Sequence, residues 1–199
     1  NTLATAMSLR VSGKALELKS AALAQALPGA NGHIVVLVHG LSLSELNWSR
    51  NGRPSIGDRL RDELGYTPLY LRYNTGRHIS SNGQQFAQLL QQLHNAWPVP
   101  VESVSLVGHS MGGLVILNAL QKLERDNIQL LRDQDVKVLT FGTPYYGLEN
   151  TDLVPCGNLQ VKDMSVLNDA LGDLGKEWGE RFNRDAASDR KDTPQIPLY

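Results

Sequence analysis

Apolar positions along the 199 residues follow two alternating patterns. One is the continuous run: Ile34-Val35-Val36-Leu37-Val38, Leu69-Tyr70-Leu71-Arg72-Tyr73, Val104-Ser105-Leu106-Val107 and Val136-Lys137-Val138-Leu139-Thr140-Phe141. Apolar and β-branched runs without regular polar alternation fit strands buried on both faces of a parallel sheet. The other is the helical stripe. Ile56, Leu60 and Leu64 stand four apart, and Phe86, Leu89, Leu90, Leu93 and Trp97 lie on one helix face until Pro98 ends it; a further helical pattern runs from Leu114 to Leu123. Ahead of the first run, residues 15–27 also have helical spacing and stop at the turn-rich Pro28-Gly29-Ala30-Asn31-Gly32. Strand and helix alternate at roughly 30 residues or a little more per unit, the length a βαβ crossover needs. The pattern predicts an α/β fold, an open parallel sheet with helices on both faces.

In such sheets reactive groups collect at the carboxyl ends of the strands. His39-Gly40, Asn74-Thr75-Gly76, Ser110 and Gly142-Thr143-Pro144 all fall there. Gly108-His109-Ser110-Met111-Gly112-Gly113 follows one predicted strand and opens one predicted helix, the context that makes Gly-x-Ser-x-Gly a nucleophile elbow. The turn is so sharp that residues two before and two after the serine are expected to approach each other, hence glycine at 108 and 112. Ser110 is the candidate nucleophile. The N–H of Met111, at the positive end of the helix, and the N–H of Leu41, after Val38-His39-Gly40, are the candidate oxyanion donors. No lysine follows the glycines, so nothing supports a phosphate-binding loop.

Composition narrows the class. With 41% hydrophobic residues and a net charge of -1, residues 1–199 read as one soluble globular domain without the basic stripe that nucleic acid requires. The longest uninterrupted apolar run, Ile34 to Val38, is too short to span a membrane. Cys156 is the only cysteine, which leaves no intrachain disulfide and points toward a reducing compartment such as the cytoplasm over a periplasmic or secreted one. The chain opens at Asn1 instead of a methionine, so the lack of a visible signal peptide carries no weight.

Serine catalysis needs a base, and in hydrolases with this elbow an acid and then a histidine follow the serine. Here the last histidine is His109. Among the others, His39 is read as a residue that ties down its own loop, His78 as a loop anchor with a smaller claim to be the base, and His33 and His94 as surface residues. Asp152, Asp163, Asp169 and Asp173 read as solvated or capping carboxylates. Tyr145 and Tyr146 read as packing residues, with lining of an acyl or alcohol pocket as the alternative. Beyond Gly147 only short amphipathic stretches remain, at 161–171 and 178–182, then a charged segment at 184–192. Residues 195–199 look like the opening of one more strand, so the domain is expected to be cut after Tyr199, with its final strand or strands, the triad acid and the histidine beyond it.

Four blocks in order, Val38-His39-Gly40-Leu41, Arg72 to Ser80, Leu106 to Gly113 and Phe141-Gly142-Thr143-Pro144, resemble the α/β-hydrolase superfamily. They are most similar to bacterial lipase/esterase-like proteins related to the GPI inositol-deacylase group, over roughly residues 33 to 147. The resemblance implies Ser110 as nucleophile with Leu41 and Met111 as oxyanion donors. The chain departs from that group in having Tyr145-Tyr146 where histidines often follow Gly-Thr-Pro. The expected function is a serine ester hydrolase acting through an acyl-enzyme on a small-molecule ester or lipid, with no metal and no cofactor. Acyl transfer or amide cleavage at the same serine is a variant of this reading. The alternative is a catalytically incomplete hydrolase fold or a non-catalytic binding module lacking the triad histidine.

Overall fold

The computed structural model describes residues 5–49, 53–127 and 135–145. In chain order the elements are β1 (Ser8–Val11), β2 (Lys14–Ala15), α1 (Ser20–Ala26), β3 (His33–Val38), a 3-10 helix (Glu45–Trp48), α2 (Ile56–Leu64), β4 (Thr67–Arg72), α3 (Ile79–Ala96), β5 (Ser103–His109), α4 (Met111–Arg125) and β6 (Asp135–Phe141). They form one six-stranded sheet of order β2-β1-β4-β3-β5-β6. The four predicted strands are parallel, with Val36 opposite both Leu69 and Leu106, and Leu106 opposite Val138.

The sheet is not wholly parallel. β1 runs antiparallel to β4, with Leu9 opposite Leu71, and β2 turns back on β1. The helix predicted over 15–27 is therefore only its second half, α1, where Leu23 is fully buried. The missed hairpin turns at Ser12-Gly13, both with positive φ (49° and 75°), between the paired residues Val11 and Lys14. Two central residues with φ above zero make the tight turn whose twist suits a hairpin.

Alternation along the strands splits the core. Ile34, Val36, Leu69, Leu71 and Leu106 face α3 and α4, which contribute Phe86, Leu90, Leu93, Leu114 and Ile116, while α1 adds Leu23. Burial of each such side chain stabilises by about 1.5–3 kcal/mol. Val35, Leu37 and Val107 face the other way, toward Trp48, Leu60, Tyr66 and Tyr70. Helices thus cover both faces, as expected.

On this second face α2 starts at Ser55, whose Oγ accepts from the Asp58 N–H at 3.0 Å while the Asp58 carboxylate accepts from the Ser55 N–H at 2.8 Å. Of its predicted stripe only Leu60 packs inward; Ile56 and Leu64 are 44% and 64% exposed. Residues four apart drift about 40° around a helix of 3.6 residues per turn, so an i, i+4, i+8 stripe cannot stay on one narrow contact. Among the described residues, no helix is long and apolar enough to cross a membrane.

Candidate active site

Ser110 is the single residue between β5 and α4, half-buried, with φ 52° and ψ −126°. Positive φ is disfavoured for a residue with a Cβ, and it persists where the surroundings over-determine it. They do so here. The Ser110 N–H donates to the Phe141 carbonyl at 3.0 Å, and the Ser110 carbonyl accepts from the Gly113 N–H and the Thr143 hydroxyl, each at 3.0 Å. The Gly142-Thr143 loop and the first turn of α4 therefore grip the serine backbone while its side chain sits above the carboxyl end of the sheet.

The two glycines serve different contacts from those expected. A Cβ at Gly108 would lie 2.8 Å from the Cα and N of Gly113, whereas one at Gly112 would lie 2.3 Å from the Val38 carbonyl oxygen and 2.6 Å from that of His39. The nearest neighbour of Gly108 is thus the backbone of Gly113, and that of Gly112 is the end of β3. Gly40 lies on the same crowded line: a Cβ there would stand 3.0 Å from the Ser110 Cβ. The loop that carries Leu41 thus begins beside Ser110. Leu41 itself packs partly buried against the main core. Met111 is fully buried at the first position of α4, where helix N–H groups have no acceptor within the helix.

His39 is 1% exposed. Its Nδ1 stands 3.0 Å from the Gly40 carbonyl, which can only accept, so Nδ1 carries the proton. Tyr73 stacks on the ring and donates its hydroxyl to the His39 carbonyl. Burial pushes the His39 pKa below its ordinary value, opposed by the Gly40 carbonyl and Glu45. These contacts make His39 a fastening of its own loop, as expected.

His33 begins β3, at the end of the strand away from Ser110, with Ser103 Oγ at 3.0 Å and Glu102 at 3.4 Å. His78 is exposed at the N-cap of α3. His94 differs from the surface reading: it is half-buried in the last turn of α3, with Nδ1 out of contact with solvent. The loop after β4 is anchored by Asn82, whose amide donates to the carbonyl of Asn74 at 3.0 Å. In turn Thr75 Oγ1 accepts from the Ser42 N–H at 3.2 Å, so this loop supports the one carrying Leu41.

Glu45 is a residue the sequence reading passed over. Its side chain is 3% exposed, and Arg72 Nε donates to its Oε2 at 2.6 Å. Arg72 Nη2 and Arg10 Nε stand 2.5 and 3.0 Å from Oε1 as ion pairs. An arginine inside the apolar run Leu69 to Tyr73 was the available signal, since a charge there needs a partner.

Beside this loop a cavity of about 480 Å³ is lined by His39, Leu43, Trp48, Ile56, His109 and Phe141, among others. Phe141 meets Trp48 edge-on at 5.9 Å and His109 at 5.2 Å. The wall is aromatic and adjoins Ser110 through its chain neighbour His109. Tyr145 packs against the main core and hydrogen-bonds Thr140 through its hydroxyl. Tyr146, Asp152, Asp163, Asp169, Asp173 and the segments at 161–171, 178–182, 184–192 and 195–199 lie outside the described residues.

Sheet order, helices on both faces and a serine in the strand-to-helix turn define the α/β-hydrolase fold. The family model described as "Putative serine esterase (DUF676)" matches residues 29–177, and the chain belongs to that family. Comparison with solved structures finds the Bacillus licheniformis lipase BlEst2 in its mature form, with TM-score 0.52 and 22% identity over 71% of this chain and 60% of that one. Its propeptide form matches with TM-score 0.53 and 18% identity over 84% of this chain and 36% of that one. The chain therefore spans less than two thirds of these structures. Comparison with curated proteins gives no match.

Proposed function

We propose that this protein is a serine ester hydrolase whose nucleophile is Ser110. The observation that carries the reading is the backbone of Ser110, held at φ 52° between β5 and α4 with the loop after β3 pressed against it. In this mechanism a base takes the hydroxyl proton, Oγ attacks the ester carbonyl, and the N–H groups of Leu41 and Met111 receive the oxyanion. The alcohol leaves, and water releases the acyl group from Ser110. The aromatic cavity beside His109 suits an apolar arm of a small ester or lipid.

The test is exposure of the full-length protein to a fluorophosphonate and to a nitrophenyl ester. The expected result is one phosphonyl adduct on Ser110, with adduct and turnover lost together in Ser110→Ala; loss of a triad nucleophile lowers kcat on the order of a million-fold. An adduct elsewhere, or unchanged turnover in Ser110→Ala, overturns the assignment.

A further inference from the structure

We propose that Glu45 is a positioning residue: held by Arg10 and Arg72, it fixes the loop after β3 so that the Leu41 N–H stays where an oxyanion would form. This rests on the reading of Ser110 as nucleophile and adds to it the device that keeps its oxyanion donor in place. The loop from His39 to Trp48 leaves the sheet beside Ser110, at Gly40, and is fastened back to it at Glu45. Between these points the Leu43 N–H donates to the Gly40 carbonyl at 3.3 Å and the Ser42 N–H to Thr75 at 3.2 Å. Leu41 thus sits in a short arch with both feet on the sheet.

The feet differ in kind. Gly40 is held by close approach, Glu45 by charge. Arg10 and Arg72 come from adjacent strands, two positions removed from direct opposition: Arg10 pairs with Tyr70 and Ser8 with Arg72. Both guanidinium groups therefore project from the same sheet face, the one covered by the loop. A buried carboxylate loses its hydration, and well-packed apolar side chains often stabilise a fold as well as a buried ion cluster does. What apolar contacts lack is direction. The Arg72 Nε–H donates to one carboxylate oxygen, while the other oxygen makes no hydrogen bond and stands between the two guanidinium groups as an ion pair, so the hydrogen bond sets a direction for the loop and the two charges hold its distance. An oxyanion donor needs that, because misplacement by about 1 Å can cost on the order of 100-fold in rate. Loops are otherwise the softest parts of a fold.

The test uses the full-length protein, with nitrophenyl butyrate hydrolysis giving kcat and KM, and hydrogen exchange followed on the peptide covering residues 40–48. Glu45→Gln is expected to lower kcat about 10- to 100-fold with KM within about twofold, and to speed exchange in that peptide alone. Glu45→Asp and Arg10→Gln, gentler changes that leave at least one ion pair in place, are expected to show the same pattern in smaller degree, which keeps the test available if Glu45→Gln does not fold. A lowered melting temperature with kcat unchanged in the folded variants would reduce Glu45 to a structural role and overturn the proposal. Full activity in Ser110→Ala would instead remove the nucleophile reading, and the catalytic role of Glu45 with it, even if exchange at 40–48 still responds.

Discussion

Tyr73 lies face to face with His39, ring centroids 4.4 Å apart and planes 20° from parallel, and its hydroxyl donates a 2.6 Å hydrogen bond to the His39 carbonyl. Each residue directly follows a strand, β4 and β3, so one side chain joins two strand ends beside the serine. Burial pushes the Tyr73 pKa far above its ordinary value, which keeps the phenol a donor. Tyr73→Phe keeps the ring and leaves a buried carbonyl short of a partner. It should destabilise by about 1–3 kcal/mol in urea unfolding. An unchanged midpoint would mean the bond contributes nothing.

His39 should leave a mark on the pH dependence of stability. Burial lowers its pKa in the folded state, while the unfolded value stays near about 6.5. On acidification the unfolded chain takes up the proton first. The stability linked to this group is therefore complete above about pH 6.5 and declines as pH falls toward the folded value, by at most about 1.4 kcal/mol per pH unit. Between about pH 7.5 and 5.5, His39→Asn, which can keep the bond to Gly40 but does not titrate, should show a shallower loss than the parent. Equal slopes would assign the effect to another group.

Gly112→Ala places a methyl 2.3 Å from one backbone oxygen and 2.6 Å from another, neither of which can rotate away. A loss of about 2 kcal/mol or more is expected, with reduced activity because β3 and the start of α4 must part. Gly29→Ala, where a Cβ meets nothing within 4 Å, should stay within about 0.5 kcal/mol and serves as the control.

Leu41→Pro deletes the one N–H assigned to the oxyanion from the loop after β3. The expected outcome is a kcat lower by on the order of 10²- to 10³-fold with little change in KM, while Leu41→Ala, which retains the N–H, stays near the parent. If Leu41→Pro turns over normally, the second donor is another residue.

The parallel strands and the serine turn were legible because each is a local pattern: apolar runs of strand length, and Gly-x-Ser-x-Gly between one of them and a helix. The hairpin at Ser8–Ala15 was not, since Ser8-Leu9-Arg10-Val11 has too few apolar positions to stand out beside a helical stripe that seemed to begin at Ala15. Ser12-Gly13 was its one local signal. The contacts that hold the site escaped for a different reason. Glu45 meets Arg10 and Arg72, and Thr143 meets Ser110, across separations that no short window spans. Periodicity likewise placed α2 correctly but not its buried side, which is set by Tyr70 of β4 lying against Gly57.

A strand at the rim of a sheet offers unpaired N–H and C=O groups to any passing chain. Without its hairpin, β4 would be such a rim, with Leu69, Tyr70 and Leu71 in a row. The hairpin substitutes an outer strand of two exposed residues, one of them Lys14, too short and too charged to serve as a template for another molecule. The antiparallel addition thus shields the β4 side of the sheet, and damage to it should appear first as aggregation, before any change in how the serine reacts.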